Sequence, residues 1–328
     1  MKLTVLGSSS ALPTSKRFPS AHVLNAHERL FLIDCGEGTQ LQLRKCRIRF
    51  GKINNIFISH LHGDHIFGLY GLLSTFNLMG RENALSLYAP ENYLPMLNSH
   101  LRDFDMNLSF EIDFVPLRGN DPYKIYEDKY ITVTSFPLKH RIEAFGFLFR
   151  EKPADRNIIK ECITKYSIPT SRIPGIKKGQ DFVNEDGLVI KNEEITIPAP
   201  KPLSYAYCSD TMPFSRLSGF VKGVDLLYHE ATFDGSLSKL AKQVMHSTTL
   251  DAAKTALKAR AGTLMIGHFS ARYKEISGLV DEARTVFPNT IPAIDGTTYD
   301  IGELVKNPLP RSFTEFSRSN TAKSSLST

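Results

Sequence analysis

The sequence predicts an α/β protein in which two β-sheets pack face to face between outer helices, an αββα four-layer sandwich. Stretches with strand-like alternation and stretches with helical periodicity follow one another in two blocks along the chain. With 328 residues, of which 41% are hydrophobic, the chain is also long enough to bury a large core within one domain.

The elements follow in chain order from these patterns. Alternating or continuous apolar runs predict strands at residues 2–7, 22–26, 29–35, 55–59, 85–89, 110–115, 130–136, 145–149, 204–209, 224–229 and 263–267. Helical spacing of apolar residues predicts helices at residues 38–45, 66–79, 91–104, 213–220, 236–244, 248–260 and 273–287.

One segment interrupts this alternation. Residues 151–200 are rich in charge and proline, and residues 155–166 within them have helical spacing. We therefore predict a single domain over residues 1–305 with an inserted arm at about 151–190. Residues 306–328 are rich in Ser and Thr and nearly free of core-forming residues, which predicts a disordered tail.

Charge and hydropathy exclude some classes of protein. No apolar run approaches the roughly 18 residues of a membrane-spanning helix. The amino terminus leads into a strand and has no signal-peptide pattern, so we expect a cytoplasmic protein without membrane contact. Forty Lys and Arg against 34 Asp and Glu leave a net charge of +6, a modest excess that suits recognition of folded RNA at a few basic patches.

The segment from Ser59 to His65 carries ligand-type side chains directly after an apolar run. In extended backbone His60 and His62 point the same way, and Gly63 is expected to turn the chain so that Asp64 and His65 face another direction. Imidazole and carboxylate donors without a nearby cysteine suit zinc or a neighbouring divalent metal; manganese and iron have overlapping preferences.

Three further candidate ligands lie elsewhere in the chain. His140, Asp210 and His268 each follow a β-prone run. Ligands at successive strand ends favour a site built from strand-to-loop junctions on one edge of the sheets. The sequence thus supplies seven candidate metal ligands.

Three later segments have a specific order and spacing: His229-Glu230-Ala231-Thr232-Phe233, His246-Ser247-Thr248 and Gly267-His268-Phe269-Ser270-Ala271-Arg272-Tyr273. They resemble segments of the ribonuclease Z family, the short-form tRNA 3′-processing endonucleases of the metallo-β-lactamase superfamily. The resemblance extends from Met1 to about Gly302.

The resemblance implies a ligand assignment and a reaction. His60, His62 and His140 would hold one zinc ion, Asp64, His65 and His268 would hold a second, and Asp210 would bridge them. The two zinc ions of each subunit would activate water to hydrolyse a phosphodiester. Asp64 would accept a proton. The implied substrate is a precursor tRNA, from which the 3′ trailer is removed to leave a 3′-hydroxyl, and the implied assembly is a homodimer.

A leaving ribose oxygen needs a proton, for which His246 is our candidate donor. It lies just before a predicted helix start, and Glu230 is the candidate carboxylate that orients it. The alternative is that His246 only caps the helix and that Glu230 only braces the core.

The inserted arm has the position of the family's tRNA-binding exosite. The family's usual Gly-Pro motif is replaced here by Pro174-Gly175, and the candidate RNA contacts are Arg172, Lys177 and Lys178. The alternative is a solvated loop. In the family, the loop at Lys16 and Arg17 contacts the RNA end, so we favour this loop over the basic residues 44–49 as a further contact.

Two other functions stay open. A phosphodiesterase or other ester hydrolase of the same fold that acts on a small molecule would retain the ligands but lack a tRNA clamp. A non-catalytic RNA-binding protein of this fold would be expected to have lost ligands, and no expected ligand is missing here.

Overall fold

Two seven-stranded β-sheets form the centre of the structure, a computed structural model that describes residues 1–307. The strands, numbered along the chain, are β1 (Lys2–Gly7), β2 (Ser9–Ser10), β3 (Ala21–Ala26), β4 (Arg29–Ile33), β5 (Ile53–Phe57), β6 (Leu85–Pro90), β7 (Ile112–Leu117), β8 (Tyr123–Glu127), β9 (Ile131–Pro137), β10 (Phe145–Glu151), β11 (Asn157–Ile158), β12 (Phe182–Val183), β13 (Val189–Ile190), β14 (Thr196–Ile197), β15 (Ser204–Cys208), β16 (Leu226–Glu230), β17 (Thr263–Gly267), β18 (Phe269–Ser270), β19 (Thr290–Pro292) and β20 (Thr298–Asp300).

The α-helices lie between these strands. They are α1 (Thr39–Lys45), α2 (Gly63–Ile66), α3 (Gly68–Leu78), α4 (Leu94–Asp103), α5 (Lys160–Lys165), α6 (Ile173–Lys177), α7 (Asn192–Ile195), α8 (Leu217–Phe220), α9 (Ser238–Gln243), α10 (Thr249–Ala259), α11 (Ser277–Arg284) and α12 (Ile301–Lys306). Short 3-10 helices occur at Phe50–Lys52, Glu91–Tyr93, Thr170–Arg172 and Gly235–Leu237. No helix among residues 1–307 has the length and apolar character needed to cross a bilayer.

Each sheet combines an antiparallel part with a parallel part. The first sheet has the order β20-β1-β3-β4-β5-β6-β7, and the second has the order β19-β17-β16-β15-β10-β9-β8. The strands from β4 to β7 run parallel, as do β15, β16, β17 and β19. The carboxyl ends of parallel strands lie at one edge of a sheet, so the loops that follow them are brought together.

Three hydrophobic clusters define the four layers. Aromatic residues fill the space between the sheets, where Phe57 stacks on Tyr88 with ring centroids 4.3 Å apart. A second cluster packs α1, α3 and α4 on the outer face of the first sheet. A third packs α8, α10 and α11 on the outer face of the second sheet. The predicted αββα sandwich is therefore confirmed.

The inserted arm folds around a small core of its own. Between β10 and β15, the side chains of Ile168, Ile176, Phe182, Ile190 and Ile195 form a separate buried cluster. The predicted helix at 155–166 was too long, because Asn157–Ile158 is extended and pairs with Thr196–Ile197, so α5 begins only at Lys160. This module continues to the start of β15, beyond the predicted limit of about residue 190.

All eleven strands predicted from the sequence are present, β1 and β17 with the predicted ends and the other nine with shifted ends. The six two-residue strands among residues 1–307 were missed, and so were β8, β19 and β20 of the large sheets. The last two have three residues each, too few for a periodic pattern, and they exist through pairing with β17 and β1. Helices α2, α6, α7 and α12 were missed as well. From residue 308 onward, the predicted disordered tail lies outside the described residues.

Gly146 in β10 is expected to tolerate no side chain. A Cβ there would overlap the ring of Phe136 and lie 2.8 Å from the carbonyl oxygen of Tyr207. We predict that Gly146→Ala lowers the free energy of unfolding by about 1–3 kcal/mol, measured by chemical denaturation. Gly278→Ala is the matched control, because its Cβ meets open space in α11; it should leave stability unchanged or raise it by up to about 1 kcal/mol. Equal effects of the two changes would contradict the packing argument.

Candidate metal centre

Loops at the ends of strands from both sheets carry the candidate ligands. The loop after β5 in the first sheet carries residues 60–65, while Asp210 and His268 follow β15 and β17 in the second sheet. His140 lies in the turn between β9 and β10. The backbone N–H of Phe145, after this turn, donates to the carbonyl oxygen of Ser59 at 2.9 Å, which ties the turn to the first sheet.

The first group of donors consists of His60, His62, His140 and Asp210. The Nδ1 atom of His62 lies 3.0 Å from His60 Nε2 and 3.1 Å from His140 Nε2. The Oδ2 atom of Asp210 lies 3.5 Å from His60 Nε2 and 3.8 Å from His140 Nε2.

The second group consists of Asp64, His65 and His268 and includes the other oxygen of Asp210. His65 Nε2 and His268 Nε2 are 3.2 Å apart, and Asp64 Oδ2 lies 3.5 Å and 3.3 Å from them, respectively. Asp210 Oδ1 lies 3.4 Å from His65 Nε2 and 3.1 Å from His268 Nε2. Each oxygen of Asp210 therefore faces a different group, the arrangement expected of a bridging ligand.

These distances fit zinc. Nitrogen and oxygen donors at about 2.0–2.2 Å from a tetrahedral ion lie about 3.4 Å from each other, close to most of the spacings in both groups. Asp210 is buried, and among residues 1–307 its Oδ1 has no hydrogen-bond partner. A buried carboxylate oxygen without a hydrogen bond is costly unless a cation lies beside it.

Hydrogen bonds at the far ring nitrogens hold the candidate ligands in place. The Nδ1–H of His65 donates to Asp34 Oδ2 at 2.7 Å, and that of His140 donates to the Met245 carbonyl oxygen at 2.9 Å. His268 Nδ1 lies 2.9 Å from the Thr232 hydroxyl. With Nδ1 protonated, the Nε2 lone pair of each ring is free to bind a metal.

The backbone is strained around these hydrogen bonds. Asp34, Met245 and His268 have φ angles of 56°, 59° and 59°, in the left-handed region that favours glycine. Non-glycine residues persist in this region when the surrounding contacts hold them there, which is common at functional sites.

Burial and charge set the protonation states. Burial lowers the pKa values of His62 and His140 to about 4, so both rings are neutral at pH 7, as metal ligands must be. Burial also tends to lower the pKa of His65, but Asp210, Asp64 and Asp34 outweigh it and raise that pKa well above its usual value. The carboxylates thus favour positive charge at the centre of the site, which bound divalent ions would supply.

His246 lies at the edge of this site and is held by Glu230. The Nδ1–H of His246 donates to Glu230 Oε1 at 3.0 Å, and this nitrogen lies 3.9 Å from Asp210 Oδ2. Glu230 is fully buried and also accepts from the backbone N–H groups of Thr211, Thr232 and Ser247. Burial opposes charge on His246, but Glu230 and then Asp210 raise its pKa to about 9.

An open cavity of about 460 Å³ adjoins the two groups. Asp64, Asp210, His246 and His268 lie in its wall, together with Glu37, Phe67 and Arg141. Sequence reasoning missed the last three as site residues. The position of Arg141, directly after His140, was a usable signal, whereas nothing in the sequence separated Phe67 from a core phenylalanine.

Three further expectations concern Gly63, the loop at Lys16 and Arg17, and the arm. The chain turns at Gly63, where α2 begins, and Asp64 and His65 face the second group while His60 and His62 face the first, as expected. The missing side chain of Gly63 leaves room for the ring of Phe67. Arg17 is buried, and its guanidinium donates to the carbonyl oxygen of Tyr273 at 2.6 Å, while Lys16 is exposed and pairs with Glu275. In the arm, Arg172 and Lys178 are exposed and Lys177 is half-buried.

Comparison with known proteins identifies the family. Over 292 residues, the chain is 46% identical to ribonuclease Z of Bacteroides fragilis (strain ATCC 25285), and this alignment covers 89% of the chain and 96% of that relative. The chain belongs to the ribonuclease Z family. Ribonuclease Z of Porphyromonas gingivalis (strain W83) is 42% identical, with 90% of this chain and 98% of that relative covered. Residues 1–166 match a family model described as Anti-Pycsar protein Apyc1.

Solved structures agree with this membership in the ribonuclease Z family. The crystal structure of human tRNase Z, short form (ELAC1), superposes with a TM-score of 0.67 at 27% identity, covering 92% of this chain and 99% of that chain. YhfI from Bacillus subtilis, a metallo-β-lactamase fold protein, has a TM-score of 0.65 at 18% identity, and the superposition covers 91% of this chain and 98% of YhfI. At that identity the second likeness shows the fold alone.

Removal of Asp210 should empty both groups of metal, because it supplies one oxygen to each. We predict that purified Asp210→Ala carries less than half the divalent metal of the unchanged protein, measured by atomic emission after dialysis. EDTA should also lower its melting temperature by less than that of the unchanged protein, since less bound metal would remain to be removed. Asp281→Ala, at an exposed position in α11, is the control and should keep the full metal content. Undiminished metal in the Asp210 variant would rule out a bridging role.

Proposed function

We propose that this protein is a metal-dependent endoribonuclease that removes the 3′ trailer from precursor tRNA and leaves a 3′-hydroxyl on the tRNA. The observation that carries this proposal is the pair of donor groups sharing Asp210 beside an open cavity, in a chain of the ribonuclease Z family. The name of one relative of known structure, human tRNase Z, indicates a nuclease that acts on tRNA. A gel assay on 3′-extended tRNA tests the proposal, and failure to cleave it with metal bound would contradict it.

We assign two zinc ions to each subunit. His60, His62 and His140 would hold one, Asp64, His65 and His268 would hold the other, and Asp210 would hold both. Such ions lower the pKa of water to make a nucleophile at neutral pH and neutralise charge that develops on a phosphate. The assignment of Asp64 as proton acceptor is supported by its place in the cavity wall. The backbone N–H of Ala11 donates to its Oδ2 at 2.8 Å and so orients the carboxylate.

His246 is the proposed acid that protonates the leaving O3′ of the tRNA. Its Nδ1 is occupied by Glu230, so its Nε2–H is the proton available to the substrate, and the ring lies in the cavity wall. Glu230 is a positioning residue, because it touches His246 and the surrounding backbone. Arg141, exposed in the same wall, is the proposed contact for a phosphate oxygen.

The arm is the proposed tRNA-binding module within the single domain. Its own core makes it a rigid carrier for Arg172, Lys177 and Lys178. Exposed Lys16, three residues after Pro13 of the cavity wall, supplies a further basic contact. Arg17 remains a candidate contact only through its free donors, since one of them already binds Tyr273. A homodimer in the cytoplasm completes the proposal and rests on the family resemblance.

His246→Ala should lower kcat for precursor tRNA by about 10²- to 10⁴-fold with little change in KM, because a general acid acts in the transition state. When sulfur replaces the bridging 3′ oxygen, the leaving group departs without protonation. This substrate should therefore restore most of the lost kcat. Glu230→Gln should give a smaller loss that the same substrate restores. If the sulfur substrate is cleaved as poorly by His246→Ala as the oxygen substrate, the acid role is wrong.

Replacing residues 152–202 by a linker of about four residues should raise KM for precursor tRNA at least tenfold while sparing bis(p-nitrophenyl) phosphate. The fold permits this deletion because Arg150 and Ser204 are direct partners in adjacent strands. The smaller variant Arg172→Glu/Lys178→Glu should act in the same direction, whereas Lys254→Glu/Lys258→Glu on α10 serves as a charge-matched control. Equal losses on both substrates would favour a small-molecule hydrolase or a folding defect.

A further inference from the structure

Phe67 is a large aromatic residue that core packing does not explain. It follows α2 directly after the metal-binding segment, and 67% of its surface is exposed. Exposed aromatic side chains beside an active site often contact ligands, because a planar ring offers a large contact area at low entropic cost.

The position of this ring is fixed in advance. A Cβ at Gly63 would lie 2.6 and 2.7 Å from Cδ2 and Cζ of Phe67, so the ring rests directly against the Gly63 backbone. One side of the ring, from Cδ2 to Cζ, is thereby supported, while the exposed surface of the ring is available to a ligand.

Phe67 also separates two cavities. The active-site cavity and a second cavity of about 370 Å³ share Pro13, Glu37 and Phe67 in their walls. Phe18 and the glycines at 38, 68 and 71 complete much of the second wall. This volume lies within the roughly 300–1,000 Å³ range of small-ligand pockets.

The charge of the second cavity suits a nucleobase and opposes a phosphate. Glu37, an exposed carboxylate on the shared wall, repels phosphate but accepts hydrogen bonds from the amino and imino groups of a base. Stacking on an aromatic ring tolerates any base, since every base has a π-face. Such a site would hold the RNA without reading its sequence strictly.

We propose that the second cavity binds the nucleobase of the first trailer nucleotide, stacked on Phe67. The assignment rests on the proposed function. His246, the proposed donor to the leaving O3′ of the tRNA, lines the active-site cavity but not the second one. The base in the second cavity therefore belongs to the nucleotide on the far side of the scissile phosphate. By holding it, Phe67 positions the phosphate over the metal centre.

The test combines protein variants with base removal. Precursor tRNAs carry either a normal or an abasic first trailer nucleotide, and kcat/KM is measured for the unchanged protein, Phe67→Ala and Phe67→Tyr. On the normal RNA, kcat/KM should be about 5- to 100-fold lower for Phe67→Ala than for the unchanged protein, and Phe67→Tyr should retain most activity. On the abasic RNA, all three should cleave at the same reduced rate.

Phe104→Ala is the matched control, because Phe104 is 70% exposed at the end of α4 and lines neither cavity. It should match the unchanged protein on both RNAs. Loss of exposed Phe67 should leave the melting temperature nearly unchanged, and a large drop would point to a structural role and overturn the proposal. An equal loss of kcat/KM for Phe67→Ala on normal and abasic RNA would also overturn it. So would a result in which only removal of the base on the tRNA side of the scissile phosphate abolishes the difference between Phe67→Ala and the unchanged protein.

Stacking is also measured without cleavage. With 2-aminopurine at the first trailer position and EDTA present, the unchanged protein and Phe67→Tyr should quench its fluorescence on binding, and Phe67→Ala should not. Equal quenching by all three would contradict the proposal. If the RNA binds and quenches but is never cleaved with metal restored, the proposed function fails while the base-binding site stands.

Discussion

The site depends on Asp210, a buried carboxylate that faces two groups of imidazoles at once. Its two oxygens lie 3.1–3.8 Å from ring nitrogens on opposite sides, and burial would make this charge prohibitive without cations beside it. The constraint brings both sheets into the site, because residues 60–65 follow a strand of the first sheet and Asp210 follows a strand of the second. The chemistry of the site therefore requires the two sheets to be packed against each other at this edge.

Two further buried carboxylates hold the arrangement rigid from behind. Asp34, at the end of β4, accepts from His65, from Ser59 and from the hydroxyl of Tyr207 in the opposite sheet. Glu230, at the end of β16, does the same for His246 and three backbone N–H groups. Fully satisfied networks of this kind fix ring orientation and tautomer, which a metal site needs as much as the ligands themselves.

The arm is structurally separate from the candidate metal centre. Its side chains pack around their own cluster and not in the cores of the two sheets. Among chains of one fold, such an insertion can alter the substrate without altering the ligands. The cavity beside Phe67, unlike the arm, is not separate from the active site. It shares Pro13, Glu37 and Phe67 with the wall of the active-site cavity.

The sequence by itself determined the fold class, most of the long elements and seven candidate ligands, because periodicity and ligand spacing are local properties of the chain. The short strands β19 and β20 and the full extent of the arm were decided by pairing between distant residues, which leaves no periodic pattern. Likewise, only the tertiary structure could place Asp34 behind His65, give Asp210 one oxygen for each group and leave Phe67 exposed between two cavities. Each of these depends on distances between side chains far apart in sequence, and such distances are set by how the two sheets pack.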